Sequence, residues 1–195
     1  MRFKESITPE EIEGMDLISF PGTIEIITEE GPRFDAAVRD LASCRMIGFD
    51  TETKPVFQPH APRCATALLQ LSNEETSYLF RLHTLGVPKK LADILASKSI
   101  TKVGAAVADD VRGLQRYTPF EAARFMDLQR FAEQYGIKDK SVKKLTAIIL
   151  GRRVSKAQQL SNWEAPQLSW PQQLYAATDA WICLEMYKAL LASPY

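Results

Sequence analysis

Histidine and cysteine are scarce in this chain: 195 residues contain two histidines, His60 and His83, and three cysteines, Cys44, Cys64 and Cys183. An odd number of widely separated cysteines offers neither a disulfide framework nor the paired spacing of a zinc site. The three thiols are expected to be reduced and mostly buried. His60 and His83 belong to no ligand pattern and are expected at the surface. No apolar run approaches the ~20 residues that a membrane-spanning helix requires. The start, MRFKESITPEEIEGMD, lacks the apolar centre of a secretory signal. A disulfide-built module, a zinc module and a membrane protein are therefore excluded, and a cytoplasmic location is the expectation. Net charge is missing too, with 24 basic and 24 acidic residues, so the chain as a whole neither attracts nor repels a polyanion.

What is present is enough for one ordinary domain with a substantial core: 46% of residues are apolar and 25% charged. After a polar leader, residues 1–22, the remainder reads as a single domain, 23–195. GTIEIITEE suggests a short strand and PRFDAAVRDLASC an amphipathic helix. Met46 to Glu52, Cys64 to Leu71 and Thr76 to Phe80 are spaced like neighbouring strands, and the loop KPVFQPHAP is too rich in proline to be either element. Further on, PKKLADILA and ADDVRGLQRY read as helices, SITKVGAA and RFMD as strands, and DLQRFAEQY and SVKKLTAIIL as helices. WPQQLYAATDAWICLEMYKALLA closes the chain as one long helix with Pro171 just inside its start. Strands that first cluster and then alternate with helices imply an α/β fold, a mixed sheet of five to six strands with helices on both faces.

Three places hold acids in unusual settings. FDTET ends an apolar run with Asp50 and Glu52 two positions apart, hence on one face of a strand and within reach of one ion. Two carboxylates that close repel unless a proton or a cation lies between them. The bland alternative is that Glu52 is simply exposed at the strand end. Asp109 and Asp110 open a helix, where acids complement the helix dipole, and one of the two serves that purpose. Tyr175 and Asp179 are four apart in the last helix, on one face of an otherwise apolar stretch; the alternative there is a packed tyrosine and an acid satisfied by backbone or arginine. Basic residues also cluster. Lys138, Lys140, Lys143, Lys144, Arg152, Arg153 and Lys156 face one acid, Asp139, over residues 138–156, a pattern equally suited to a solvated helix face.

Taken in order, FDTET, VGAAVADDVRGL and YAATDA resemble the three exonuclease motifs of the DEDD superfamily, in the DEDDy branch that includes ribonuclease D and the Werner-type exonuclease domain. The stretch SKAQQLSNWEAPQLSWPQQLYAATDA strengthens the likeness, which covers roughly residues 23 to 192. The resemblance implies a ribonuclease H-like fold and a 3′-5′ exonuclease that hydrolyses RNA or DNA from a single-stranded 3′ end and releases nucleoside 5′-monophosphates. It implies catalytic roles for Asp50, Glu52, Asp110, Tyr175 and Asp179, with Asp110 preferred over Asp109 by the family register. The four acids would hold two divalent cations, Mg2+ or Mn2+: Asp50 between them, Glu52 and Asp179 on the side of the attacking water, Asp110 on the leaving-group side through water. Tyr175 would orient that water, since a phenol of ordinary pKa about 10 is a poor base at neutral pH. All-oxygen ligands favour these hard ions over zinc.

Substrate contacts are expected from Thr51 and Thr53 beside the acids, from Phe57 as a base-stacking residue, and from Arg152, Arg153 and Lys156 as phosphate ligands. Trp163, Trp170 and Trp181 are expected in the core. Ribonuclease D continues past its nuclease into a helical nucleic-acid-binding domain, whereas this chain ends shortly after Asp179, so substrate choice is expected to depend on a partner or on the leader. Two rivals remain at this level. A catalytically silent nucleic-acid-binding module has no use for mutually repelling acids, and an aspartyl-phosphate phosphatase would want aspartate where Glu52 stands.

Overall fold

The structure, a computed structural model, describes residues 3–58 and 64–193. Within the leader, α1 (Pro9–Glu13) is opened by a capping box in which Thr8 and Glu11 satisfy each other's backbone N–H groups. Strand β1 (Thr23–Ile27) is followed by α2 (Pro32–Ser43), with Pro32 in the first turn where its missing N–H costs nothing. Strands β2 (Met46–Thr53), β3 (Thr66–Ser72) and β4 (Thr76–Arg81) follow, then the short α3 (Leu82–Leu85) and α4 (Lys89–Ala96). Strand β5 (Thr101–Gly104) leads into α5 (Val107–Gln115), and β6 (Phe125–Asp127) into α6 (Leu128–Glu133) and α7 (Val142–Leu150). The chain closes with α8 (Trp170–Leu191), started by the Ser169–Gln172 capping box and Pro171.

The six strands form one sheet in the order β1-β4-β3-β2-β5-β6. β2 and β4 run antiparallel to β3, and the other three pairings are parallel. This is the mixed sheet that the sequence leads one to expect. α2, α4 and α5 cover one face over Ile47, Phe49, Leu69, Leu71 and Phe80. On the other face α8, with α6 and α7 outside it, packs over Val103 of β5 and Leu68 and Leu79 of β3 and β4. No helix among the described residues is long and apolar enough to cross a membrane.

Three expectations need correction or refinement. Trp163 and Trp181 are buried, but Trp170 is 60% exposed; it is the first residue of α8, ahead of the turns that meet the sheet. The three thiols are free, yet Cys183 alone is fully buried, Cys44 and Cys64 being half-buried. His83 is exposed, while His60 and the end of the proline-rich loop lie outside the described residues. The leader packs onto the rest: Ile7 and Ile12 are buried with Ala147, and Phe20 meets Trp181 edge to face at 5.7 Å.

Candidate active site

Strand alternation puts Gly48, Asp50 and Glu52 in one row of β2, beneath α8. At Gly48 an added Cβ would lie 2.0 Å from the carbonyl oxygen of Ala180. Only glycine lets the helix backbone approach the strand this closely, and the approach delivers the preceding residue, Asp179, to the two acids of β2. As a result, carboxylate oxygens of Asp50, Glu52 and Asp179 lie within 4.8 Å of one another. Just beyond the row, a β-bulge between Glu52 and Thr53 shifts the register with β3 and turns the strand end toward solvent.

Asp110 reaches the site from the opposite side. Ala106, in the left-handed region at φ 56°, precedes α5, and its N–H is bonded to the Asp127 carboxylate at 3.3 Å. One turn later Asp110 accepts a 2.6 Å hydrogen bond from the Thr51 hydroxyl, so its carboxylate is turned to the edge of β2 and stands outside the trio. Asp109 is exposed and paired with Arg112.

Tyr175, one turn before Asp179, is held by Trp163, whose ring lies 5.9 Å away and is fully buried. The loop that brings Trp163 there is tied to the start of α8 by Gln172, which donates to the Asn162 carbonyl at 3.2 Å and caps Ser169. The serine-asparagine-tryptophan run and the proline-glutamine helix start thus serve one purpose, fixing the tyrosine.

Each of the three clustered acids keeps some surface open, but the carboxyl groups are set deep, and burial dominates their electrostatics. Asp50 is raised well above the usual carboxylate range by burial and then by the charges of Asp179 and Asp110. Glu52 is pushed up to about 10 by burial and by Asp50, Asp179 and Asp110. Asp179 rises to about 6, burial being offset by Lys156 and by the Tyr175 hydroxyl. Burial also raises Asp110, against the Thr51 bond. The Tyr175 phenol is pushed up by burial and by the charges of Asp179 and Glu52, and therefore keeps its proton at neutral pH.

Such a set suits a hard divalent cation. It is made of carboxylate oxygens alone, and among the described residues none of the three is neutralised by an ion pair. A further sign of unmet demand is Gln70, the cross-strand partner of Asp50 in β3: it is fully buried, and among the described residues neither its amide nitrogen nor its oxygen has a partner.

The remaining expected contacts are scattered. The Thr51 hydroxyl is spent on Asp110, and Thr53 is exposed at the strand end. Phe57 is 76% exposed, and it is its neighbour Val56 that lines the adjoining groove. The basic run divides. Lys138 pairs with Glu5, Lys140 with Glu133, Lys144 with Asp139 and Arg152 with Asp16. Arg153 donates through Nε to the Met15 carbonyl at 2.8 Å. Arg152 and Arg153 are therefore engaged with the leader. Lys156 is different: it is exposed, it forms no ion pair among the described residues, and its charge is felt at Asp50, Glu52 and Asp179.

The sequence reading overlooked Gly48, Gln70 and the groove beside the acids, a space of about 980 Å3 that runs from Glu52 and Asp110 along α5, past Arg112 and Arg116. Signals existed for the first two: a glycine two residues before Asp50, and a lone amide in the apolar run CATALLQL.

A ribonuclease H-like sheet whose central strand and covering helix bring carboxylates together defines a class of nucleases, and comparison with known proteins gives the same answer. The chain belongs to the 3′-5′ exonuclease domain family, whose model matches residues 25–193, and within it to the DEDDy type. It is 30% identical over 188 residues to the mouse bifunctional 3′-5′ exonuclease/ATP-dependent helicase WRN, covering 91% of this chain and 13% of that protein. With Drosophila melanogaster exonuclease 3′-5′ domain-containing protein 2 it shares 34% identity over 150 residues, covering 75% of this chain and 25% of the relative. The chain thus spans a quarter or less of these two relatives. Among solved structures, the Aedes aegypti Nibbler EXO domain superposes with a TM-score of 0.76 at 23% identity, over 86% of each chain. Escherichia coli RNase D gives 0.76 at 22% identity, over 87% of this chain and 44% of that one.

Proposed function

We propose that the chain is an active metal-dependent exonuclease that hydrolyses the phosphodiester at the 3′ end of RNA or DNA and releases nucleoside 5′-monophosphates. The observation that carries this reading is the trio Asp50, Glu52 and Asp179, whose carboxylate oxygens lie within 4.8 Å of one another and form no ion pair among the described residues. Divalent cations, when bound, would offset charge on the phosphoryl oxygens and lower the pKa of the attacking water.

Asp50, Glu52 and Asp179 would hold these ions directly, and Asp110, turned to Thr51, would act through water. In the reaction a bond forms between the water oxygen and phosphorus while the bond from phosphorus to the 3′ oxygen breaks. The attacking water gives up a proton to solvent, and the leaving 3′ oxygen takes one up. Tyr175 keeps its own proton at neutral pH, so its part is to orient the attacking water by hydrogen bonding, with Trp163 fixing the ring. Lys156 offers a free cation beside the reacting phosphate. The exposed Thr53 and the Thr51 backbone lie where a terminal nucleotide would rest, and Phe57 is free to stack on a base. Two structural relatives are themselves seen with such ligands: Trypanosoma brucei RNase D in complex with RNA U12, and Brucella melitensis NrnC bound to pGG.

The test is product analysis on 5′-labelled RNA and DNA, single- and double-stranded, with Mg2+ or Mn2+ and with chelator. The expected result is a ladder shortened one nucleotide at a time from the 3′ end, in metal only. Binding without any shortening would make the chain a silent nucleic-acid-binding module instead.

A further inference from the structure

In the basic run that the sequence offers as a phosphate site, Lys138, Arg152 and Arg153 bond to the leader and Lys140 and Lys144 pair with Glu133 and Asp139, which leaves the groove beside the acids to be explained. One wall of that groove is a face of α5. Asp109 and Asp110 stand at its start, and Arg112 and Arg116 follow, all four lining the space. Arg112 and Arg116 are four apart, hence on the same side of the helix and about 6 Å apart along its axis. Gln159 and Leu160 also line the space, as does Lys54, which is paired with Glu164. Both arginines are exposed, and Arg116 has no ion pair among the described residues. Arg112 is paired with Asp109, but the two side chains are 67% and 72% exposed, and a pair so open to water contributes little. A phosphate can take such a guanidinium over cheaply, because its oxygens match the planar fork of donors at least as well as a carboxylate does.

Position gives the pair a direction. Asp110 marks the reacting end of the helix. A strand whose terminal phosphate lies there would pass Arg112 first and Arg116 one turn later.

We propose that Arg112 and Arg116 grip the phosphates of the nucleic-acid strand on the 5′ side of the bond that is cut, and that Asp109 occupies Arg112 until a phosphate displaces it. This rests on the nucleic-acid reading of the site given above. The arginines position substrate and take no part in bond making. Their loss acts on binding and not on the chemical step. Asp109, the acid that the family register leaves without a catalytic part, acquires one as a competitor that keeps the empty groove from holding polyanions indiscriminately.

The experiment compares wild type with Arg112→Gln, Arg116→Gln and Asp109→Asn. Affinity for 5′-fluorescein-labelled oligothymidylate is measured by anisotropy in Ca2+ across a series of KCl concentrations, and kcat and KM on the same oligonucleotide in Mg2+. Each arginine variant is expected to raise Kd and KM about threefold with kcat unchanged. Each should also reduce the slope of log Kd against log salt by about 0.7, the increment for one phosphate contact on a single strand. Asp109→Asn is expected to tighten binding roughly twofold, since it frees Arg112. Wild-type affinity and salt slope in both arginine variants would overturn the proposal, and an unchanged Kd in Asp109→Asn would overturn the part assigned to that acid. A wild type that binds the oligonucleotide but never shortens it would overturn the exonuclease reading while leaving the grip intact. A wild type that binds none would overturn both.

Discussion

Under α2, α4 and α5 the sheet presents rings and branched side chains, with Phe34 meeting Phe80 and Phe49 meeting Phe125 edge to face at 6.3 and 5.1 Å. Under α8 the same sheet presents Asp50 and Glu52 to Asp179, next to Gln70, Ser72 and Ser77, whose buried polar atoms have no partner. The first face gains free energy from the apolar groups it covers, and Lys102, buried there over Phe125, donates to the Ser97 and Ile100 carbonyls. The second spends some, because like charges and unpaired amides are gathered in a place where apolar residues would be more stable. That difference teaches where the fold is maintained and where it is used: one face supplies the stability that lets the other hold repelling carboxylates.

The largest effect expected from this division is chemical. Asp50→Asn and Asp179→Asn should each lower kcat by at least about a thousandfold. In chelator both should leave Tm unchanged or raised, since each removes an ionisable group from a buried, crowded cluster; a large fall in Tm would mean that the acids serve the fold after all. Next comes a loss confined to the other face. Phe80→Ala is expected to cost about 3–5 kcal/mol, a fall in Tm of roughly 10 °C, with turnover per folded molecule retained.

Gly48→Ala joins the two faces' concerns, because the added Cβ meets backbone and not a flexible side chain. It should cost about 1–3 kcal/mol in thermal melts. It should also lower kcat by more than its stability cost explains, since Asp179 is displaced with the helix.

The acids should also be visible in the pH dependence. Glu52 and Asp179 have folded-state values of about 10 and about 6, against ordinary values of 4.5 and 3.8. The native state therefore holds protons that the unfolded chain has already released. The associated stability is complete below about pH 4 and is lost as pH rises through about 6 and on toward about 10. Melts in chelator should show Tm falling between about pH 5 and about pH 9, the unfolding free energy dropping by up to about 1.4 kcal/mol per pH unit for each group forced to ionise. Added Mn2+ should flatten that slope. The smallest effect is reserved for Arg152→Gln, which breaks an exposed pair with Asp16 and is expected to cost under about 1 kcal/mol with Kd for oligonucleotide unchanged.

The motifs were legible because they are local: FDTET, VADDVRGL and YAATDA each lie within one or two turns or along a single strand, and the succession of strands and helices along the chain followed from their periodicity. What escaped depends on distance in the chain. The pairing of Arg152 with Asp16 was out of sight because the two lie 136 residues apart. Trp170 looked like core because composition does not show which turn of α8 first meets the sheet. The bond from the Thr51 hydroxyl to Asp110 was hidden because it spans 59 residues. The arginines of α5 went unnoticed because two cations in a helix of mixed charge carry no signal until a groove is seen beside them.

The central claim is that Asp50, Glu52 and Asp179 exchange protons for divalent cations. The most direct measurement is calorimetric titration of Mn2+ into the metal-free protein near pH 7, repeated in buffers of different ionisation enthalpy, with Asp179→Asn alongside. The account predicts binding that releases protons in the wild type, because Glu52 is protonated at that pH until a cation displaces it, and much weaker binding in the variant. Mn2+ binding of equal strength in both proteins, or binding that releases no proton, would contradict it.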